Sequence, residues 1–144
     1  VRGAVRPIAY GAITTPAHTN IEERLLIIKK DLEDVIDRYR PDEMAIEELF
    51  FNTNITTGIN VAQARGVILL TCIKECGKLY EYTPLQIKQA LTGYGRAEKR
   101  QMQIMVKTFL KLDKIPRPDD AADALAVALT HSQTGRFKTP FGIK

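Results

Sequence analysis

The amino-acid sequence predicts an α/β domain with a mixed or parallel central sheet flanked by helices. Short stretches that suit β-strands alternate along the chain with longer stretches whose apolar residues recur at helical spacing. Capping and turn residues separate these stretches, and no internal repeat or low-complexity linker interrupts them. We therefore assign residues 1–132 to a single domain and expect a flexible basic tail over residues 133–144.

The first predicted elements are a strand and a long helix. Residues 8–14 have β-compatible residues at their ends, and together with the basic stretch at residues 1–6 they look like the later part of a strand or hairpin. Thr19 and Glu22 form a capping box, in which the Thr hydroxyl accepts from the amide three residues on. Apolar residues at helical spacing follow from Ile21, and Pro41 ends this helix.

The rest of the chain is predicted to hold two strands and four helices. The strands cover residues 44–46 and 79–82, and turn residues at 52–54 follow the first of them. A glycine ends the first of these helices and prolines or flexible loops bound the others. The four helices are predicted over residues 55–76, 84–91, 97–111 and 119–131.

Composition excludes several classes of protein. The 144 residues are 44% hydrophobic and 26% charged, which is enough for a packed core and argues against intrinsic disorder. No apolar run approaches the roughly 20 residues that a membrane span needs. The first residues lack the apolar core of a signal peptide, so we expect a cytoplasmic protein.

The net charge of +4 is unevenly distributed along the chain. Residues 1–72 carry 8 basic and 10 acidic side chains, whereas residues 73–144 carry 13 and 7. Six bases and one acid lie between residues 83 and 111, an excess that is typical of a surface facing phosphates. An ordinary solvated helix face can carry the same residues, so charge alone leaves both interpretations open.

Carboxylates at two places in the sequence suggest a metal site. Glu47 follows a short strand at its carboxyl end, where α/β proteins place their functional groups. Asp120 and Asp123 are three residues apart on one face of the last helix. Such aspartates often act only as caps, but Asp123 lies deeper in a helix that looks apolar all round. If the three carboxylates converge, they suit Mg²⁺ or Mn²⁺ and favour a nuclease.

The cysteines and histidines do not suggest a second type of site. Cys72 and Cys76 lie four residues apart in a helical pattern and have no nearby histidines, so we interpret them as small buried apolar residues. His18 and His131 show no metal-ligand spacing. No nucleophilic side chain is therefore predicted to form a covalent intermediate.

Five short motifs occur in a fixed order along the chain. They are Ala-Ile-Glu-Glu-Leu-Phe at 45–50, Ala-Gln-Ala-Arg-Gly at 62–66, Gln-Ile-Lys-Gln at 86–89, Gly-Tyr-Gly-Arg-Ala-Glu-Lys at 93–99, and Asp-Ala-Ala-Asp-Ala-Leu-Ala at 120–126 with Thr-His at 130–131. Together they closely resemble the RuvC family of bacterial Holliday-junction resolvases. The resemblance spans nearly the whole chain, and five ordered motifs are far more specific than any one of them.

The resemblance implies an RNase H-like fold, a homodimer, and Mg²⁺-dependent nicking of two strands of like polarity at a four-way DNA junction. It places this activity in homologous recombination and DNA repair. It also implies two Mg²⁺ ions per active site, with Mn²⁺ as a substitute, and the branch-migration proteins RuvA and RuvB as partners. The helix that carries residues 62–66 resembles the helix that forms the dimer in this family.

The resemblance also assigns roles to individual residues. Glu47, Asp120 and Asp123 match the acidic metal ligands of the family, and Lys99 joins them as a catalytic residue. The residues expected at the DNA are Phe50, which matches an aromatic that stacks on a junction base, and the bases Lys88, Arg96, Lys99 and Arg100. Phe50 also suits a core position, and both lysines also suit an ordinary surface.

One motif of the family does not occur in this sequence. The family opens with a strand bearing a Gly-Ile-Asp-Pro-Gly type motif, whose aspartate is the first metal ligand. We therefore expect that the chain as given lacks the N-terminal strand and does not assemble a full metal site. Two other classes stay open, a non-catalytic junction-binding module of the same fold and another RNase H-like nuclease.

Overall fold

The structure is a computed structural model that describes residues 5–48 and 55–135. Within these residues, helices and strands follow one another in the predicted order, apart from the strand expected at residues 8–14. The elements are α1 (Ile21–Tyr39), β1 (Met44–Glu47), α2 (Ile55–Glu75), β2 (Leu79–Tyr82), α3 (Pro84–Thr92), α4 (Lys99–Phe109) and α5 (Asp119–Thr134). No helix in these two ranges is long and apolar enough to cross a membrane.

Two predictions near the start of the chain are wrong. Residues 8–14 form no strand, and Ile8 is 86% exposed. A strand needs a hydrogen-bonding neighbour, and the ladder found in the described chain joins β1 to β2 instead. Asn20, not Thr19, caps α1, because its side chain accepts from the amide of Glu23 at 3.0 Å.

The sheet of the described chain consists of two parallel strands. The amide of Met44 donates to the carbonyl of Lys78 at 2.9 Å, and the amide of Glu48 donates to that of Tyr82 at 2.7 Å. The residue numbers of the bonded partners rise together along both strands, so the two strands are parallel. Strand β1 extends one residue beyond the prediction and therefore ends on Glu47 itself.

The chain divides into two compact units. In the described chain, the first comprises residues 13–44 and 55–79, where α1 packs against α2. Its buried residues include Ile36 and Cys72. Burial raises the pKa of the Cys72 thiol to about 11, and the neighbouring Cys76 adds to the shift. The predicted burial is confirmed for Cys72, whereas Cys76 is only half-buried.

The second unit comprises residues 5–12, 45–48 and 80–135, in which α3, α4 and α5 pack together. Its buried core is formed by Tyr80, Tyr82, Ile87, Leu91, Val106, Leu110, Ala126, Val127 and Leu129. Ala124 and Ala128 are exposed, so α5 is not apolar and buried all round as the sequence suggested. That residues 1–132 form one domain stays a prediction. The tail predicted over residues 133–144 begins too early, because α5 continues to Thr134, and residues 136–144 lie outside the described chain.

Helix α3 gives a direct test of this core. Leu91 is 2% exposed, whereas Leu85 on the same helix is 54% exposed. We expect Leu91→Ala to lower the free energy of unfolding by about 2–5 kcal/mol, since it leaves a cavity. Leu85→Ala is the matched control and should cost less than about 1 kcal/mol in the same denaturant titration. Equal losses in the two variants would contradict this packing.

Candidate active site

A cavity of about 270 Å³ in the second unit contains charged residues from four elements. Glu47 ends β1, Lys88 lies on α3, Lys99 begins α4, and Asp123 lies in the second turn of α5. The other lining residues are mostly apolar, and they include Ile87, Met102, Val106, Ala122 and Ala126. Two carboxylates and two ammonium groups therefore share one partly apolar cavity.

Glu47 is held at this cavity by the end of its strand. The pKa of its carboxyl is raised above 4.5, first because surrounding protein atoms remove part of its water and second because the Asp123 carboxylate repels its charge. Lys88 and Lys99 oppose this shift. Glu47 nevertheless remains exposed to solvent.

Asp123 lines the same cavity from α5. Loss of water raises the pKa of the Asp123 carboxyl, and the charges of Asp120 and Asp119 raise it further. Lys99 opposes these effects, and its Nζ lies 3.7 Å from Oδ2 of Asp123. Both carboxylates of the cavity are therefore in an environment that disfavours their charged forms, and Lys99 partly compensates for this.

Of the three carboxylates expected at the metal site, Glu47 and Asp123 line this cavity and Asp120 does not. Asp120 is exposed and is not among the described residues that line it, although its charge acts on Asp123. Successive helical residues are rotated by about 100°, so Asp119 and Asp120 lie about 40° and 60° from Asp123 on opposite sides. Within residues 5–48 and 55–135, no group of three or more His, Cys, Asp or Glu side chains is arranged to hold a metal ion.

Asp119, which no sequence motif indicated as a site residue, also contacts Lys99. Its Oδ2 lies 3.7 Å from Nζ of Lys99, and its Oδ1 accepts from Nη1 of Arg117 at 2.6 Å. Gln103 lines the cavity and donates to the same Oδ1 at 3.3 Å. Asp119 lies four residues before Asp123, a spacing that could have indicated a shared partner on the neighbouring helix.

The predicted DNA-binding residues differ in their relation to the cavity. Lys88 and Lys99 line the cavity. Arg96, in the turn before α4, and Arg100, on α4, are both exposed. Phe50 lies outside the described residues. The two lysines therefore line the same cavity, whereas both arginine side chains are exposed to solvent.

His131 connects α5 to β2, the neighbour of the strand that carries Glu47. Its Nδ1 forms a 2.7 Å hydrogen bond with the hydroxyl of Tyr82, and its ring lies 4.4 Å from the ring of Tyr80, centroid to centroid. The contact fixes the helix that carries Asp123 against the sheet that carries Glu47. His131 shows no metal-ligand spacing in the sequence, and its contacts in the structure are with tyrosines.

A family model described as crossover junction endodeoxyribonuclease RuvC matches residues 1–131 of the chain. The chain belongs to the RuvC family. A crossover junction endodeoxyribonuclease RuvC from Finegoldia magna is 54% identical over 134 residues, which are 93% of this chain and 82% of that protein. The family resemblance predicted from the five motifs is confirmed.

Solved RuvC structures have the same fold. A Thermus thermophilus RuvC structure matches with a TM-score of 0.84 and 35% identity, over 95% of this chain and 82% of that chain. A second one, of T. thermophilus RuvC in complex with Holliday junction substrate, matches with a TM-score of 0.83 and 32% identity, over 95% and 83%. The predicted RNase H-like α/β fold is confirmed by this similarity.

RuvC proteins are endodeoxyribonucleases that depend on a divalent metal ion. The cavity of this chain fits such an ion, because two hard oxygen ligands repel each other there in a partly dehydrated setting. A divalent cation would relieve that repulsion more effectively than the monovalent ammonium groups that now face the carboxylates. Glu47 and Asp123 are the residues on which this fit depends.

The electrostatics of Glu47 predict an unusual effect on stability. In metal-free buffer at neutral pH, Glu47→Gln should raise the free energy of unfolding, because it removes a charge that the folded state disfavours. As the pH falls through the raised pKa of Glu47, the folded wild-type protein takes up a proton before the unfolded chain does. The stability of the wild-type protein therefore rises relative to that of the variant. The difference in the free energy of unfolding disappears below pH 4.5.

Denaturant titrations at several pH values check this expectation. Glu48→Gln is the matched control, because Glu48 is the next residue and is exposed outside the cavity lining. The control should leave stability at neutral pH close to that of the wild-type protein. A Glu47→Gln variant that is less stable than wild type at neutral pH would contradict the account.

Proposed function

We propose that this chain carries the nuclease site of a crossover junction endodeoxyribonuclease, which nicks two strands of like polarity at a four-way DNA junction in recombination and repair. The observation that carries the proposal is the cavity in which Glu47 and Asp123 meet Lys99, in a member of the RuvC family. A carboxylate pair beside ammonium groups suits phosphodiester hydrolysis better than it suits nucleophilic catalysis by a side chain. The thiol of Cys72, buried and protonated, is no candidate nucleophile.

Glu47 and Asp123 would hold Mg²⁺ in this proposal, with Asp120 as an additional carboxylate beside them. Two ions per site and Mn²⁺ as a substitute are part of the same proposal. Bound there, the metal would polarise a phosphoryl oxygen and lower the pKa of a bound water. Support comes from the raised pKa of Glu47, of which loss of water is the first cause and the charge of Asp123 the second.

The two lysines of the cavity act on the phosphate itself. An ammonium group beside a phosphodiester neutralises charge that develops on the phosphoryl oxygens in the transition state. Lys99 is suited to this role because its side chain is 57% exposed while its Nζ stays at the cavity through Asp123. Lys88 enters the same cavity from α3 and lowers the pKa of Glu47, so it also lies within electrostatic reach of the carboxylates.

The DNA backbone would be contacted around the mouth of this cavity. The exposed Arg96 and Arg100 flank Lys99 in sequence and extend the positive charge beyond the cavity. Arginine at such positions binds phosphates through several donors in a fixed geometry. Phe50 is proposed to stack on a junction base, as the family resemblance implies. A cytoplasmic location is proposed because it gives access to chromosomal DNA.

A second copy of the chain is the proposed partner of helix α2. Ile59, Gly66, Leu70 and Ile73 recur at helical spacing and therefore form one stripe of this helix, and the three apolar side chains are 38–67% exposed. A Cβ added to Gly66 meets nothing within 4 Å, so packing inside the chain does not require glycine there. A two-fold dimer would present two sites to a two-fold junction. RuvA and RuvB are the further partners proposed from family membership.

Cleavage should depend on both carboxylates of the cavity. We expect Glu47→Gln and Asp123→Asn each to reduce cutting of a synthetic four-way junction by at least about 100-fold in the full-length protein. Junction affinity, measured in competition with linear duplex at fixed salt, should stay within a few-fold of wild type. Asp113→Asn is the control, because this exposed aspartate does not line the cavity. Cleavage that survives in either cavity variant would contradict the assignment.

The dimer should depend on the apolar stripe of α2. We expect Leu70→Glu to shift the protein from dimer to monomer in sedimentation equilibrium, because it places a charge in a buried contact. Leu26→Glu on α1 is the matched control, since Leu26 is 66% exposed and Leu70 67%. A protein that remains dimeric with Leu70→Glu, or dissociates only with Leu26→Glu, would show that another surface forms the dimer.

A further inference from the structure

Near their N-terminal ends, helices α4 and α5 contact each other through two side chains on each helix. On α4, Lys99 and Gln103 are four residues apart and share a face. On α5, Asp119 and Asp123 have the same spacing. Nζ of Lys99 lies 3.7 Å from Oδ2 of each aspartate, so one ammonium group is shared between two carboxylates.

Asp119 has two further donors, and both contact the carboxylate oxygen Oδ1. Nη1 of Arg117 donates to Oδ1 of Asp119 at 2.6 Å, and Nε2 of Gln103 donates to the same oxygen at 3.3 Å. Gln103 is only 6% exposed, so packing holds its amide in place. These donors engage Oδ1 and leave Oδ2 for the ammonium group of Lys99.

The two carboxylates that share Lys99 differ in their relation to the cavity. Asp123 lines it and is a proposed metal ligand, whereas Asp119 is not among its lining residues. A cation held by Asp123 would offset the negative charge that attracts Lys99, so this ion pair would weaken when the site is filled. The attraction of Asp119 for Lys99 would remain, because Arg117 and Gln103 hold Asp119 in place independently.

We propose that Asp119 is a positioning residue, which keeps the Lys99 ammonium group at the cavity when Asp123 is engaged by the metal ion. The inference rests on the proposed function, because Asp119 acts on the reaction only through Lys99. It explains why the first turn of α5 carries an aspartate that contacts two further donors instead of only capping the helix.

A double-mutant cycle on junction cleavage tests the proposal. Asp119→Asn keeps the shape of the side chain and removes its charge, and kcat should fall about tenfold while KM for the junction changes less than about twofold. Lys99→Gln should lower kcat by about 100-fold. The double variant should be no slower than Lys99→Gln alone, because Asp119 has no role once the lysine is gone.

A purely structural role gives a different pattern. If Asp119→Asn only damaged the fold, it would lower kcat by the same factor in the wild-type protein and in Lys99→Gln. Such additive losses would overturn the proposal. If the wild-type protein cuts junctions and Asp119→Asn has the same kcat, this inference is overturned. The proposed function still stands in that case. A wild-type full-length protein that binds Mg²⁺ but cuts no junction overturns the proposed function itself.

A second measurement does not depend on turnover. In Mg²⁺-saturated protein, NMR relaxation of the Lys99 side chain should show greater mobility with Asp119→Asn than in wild type. Asp113→Asn, the exposed control, should leave that mobility unchanged. Equal mobility of Lys99 in wild type and Asp119→Asn would overturn the proposal even if the variant cuts slowly for another reason.

Discussion

The placing of two carboxylates, Glu47 and Asp123, in one partly apolar cavity is the constraint on which the site depends. Both groups are partly dehydrated, and the charge of Asp123 raises the pKa of Glu47. A folded protein does not gain stability from such a pair, so its presence needs an explanation in function. Lys99 and Lys88 reduce the repulsion without removing it, which leaves the cavity ready to attract a divalent cation.

The fold creates this repulsion by bringing together groups that are far apart in the chain. Strand β1 ends on Glu47, and α5 reaches the cavity because Ala121, Ala122 and Ala126 are buried and allow close packing. The hydrogen bond between Tyr82 and His131 ties the same helix to β2. The energetic cost of holding two carboxylates together is thus met by apolar packing of the surrounding core.

Much of this architecture could be predicted from the sequence because its determinants are local. Strand β2 and the start of α5 follow from apolar patterning and from the prolines that bound them, and Glu47 stands at a strand end, as expected. The strand predicted at residues 8–14 failed because strand formation depends on a partner, which no local pattern supplies. Asp119 was missed because its role arises from contacts with α4, and helical spacing alone favoured Asp120 equally.

The central claim is that Glu47 and Asp123 form a divalent-cation site, and Mn²⁺ titration followed by NMR tests it most directly. Bound Mn²⁺ broadens the signals of nearby nuclei, so it reports the position of the ion without requiring cleavage. At substoichiometric Mn²⁺, the signals of Glu47, Asp123 and Lys99 should disappear first, and excess Mg²⁺ should restore them. Broadening that begins at the exposed acidic residues of α1, or that spares Glu47 and Asp123, would contradict the account.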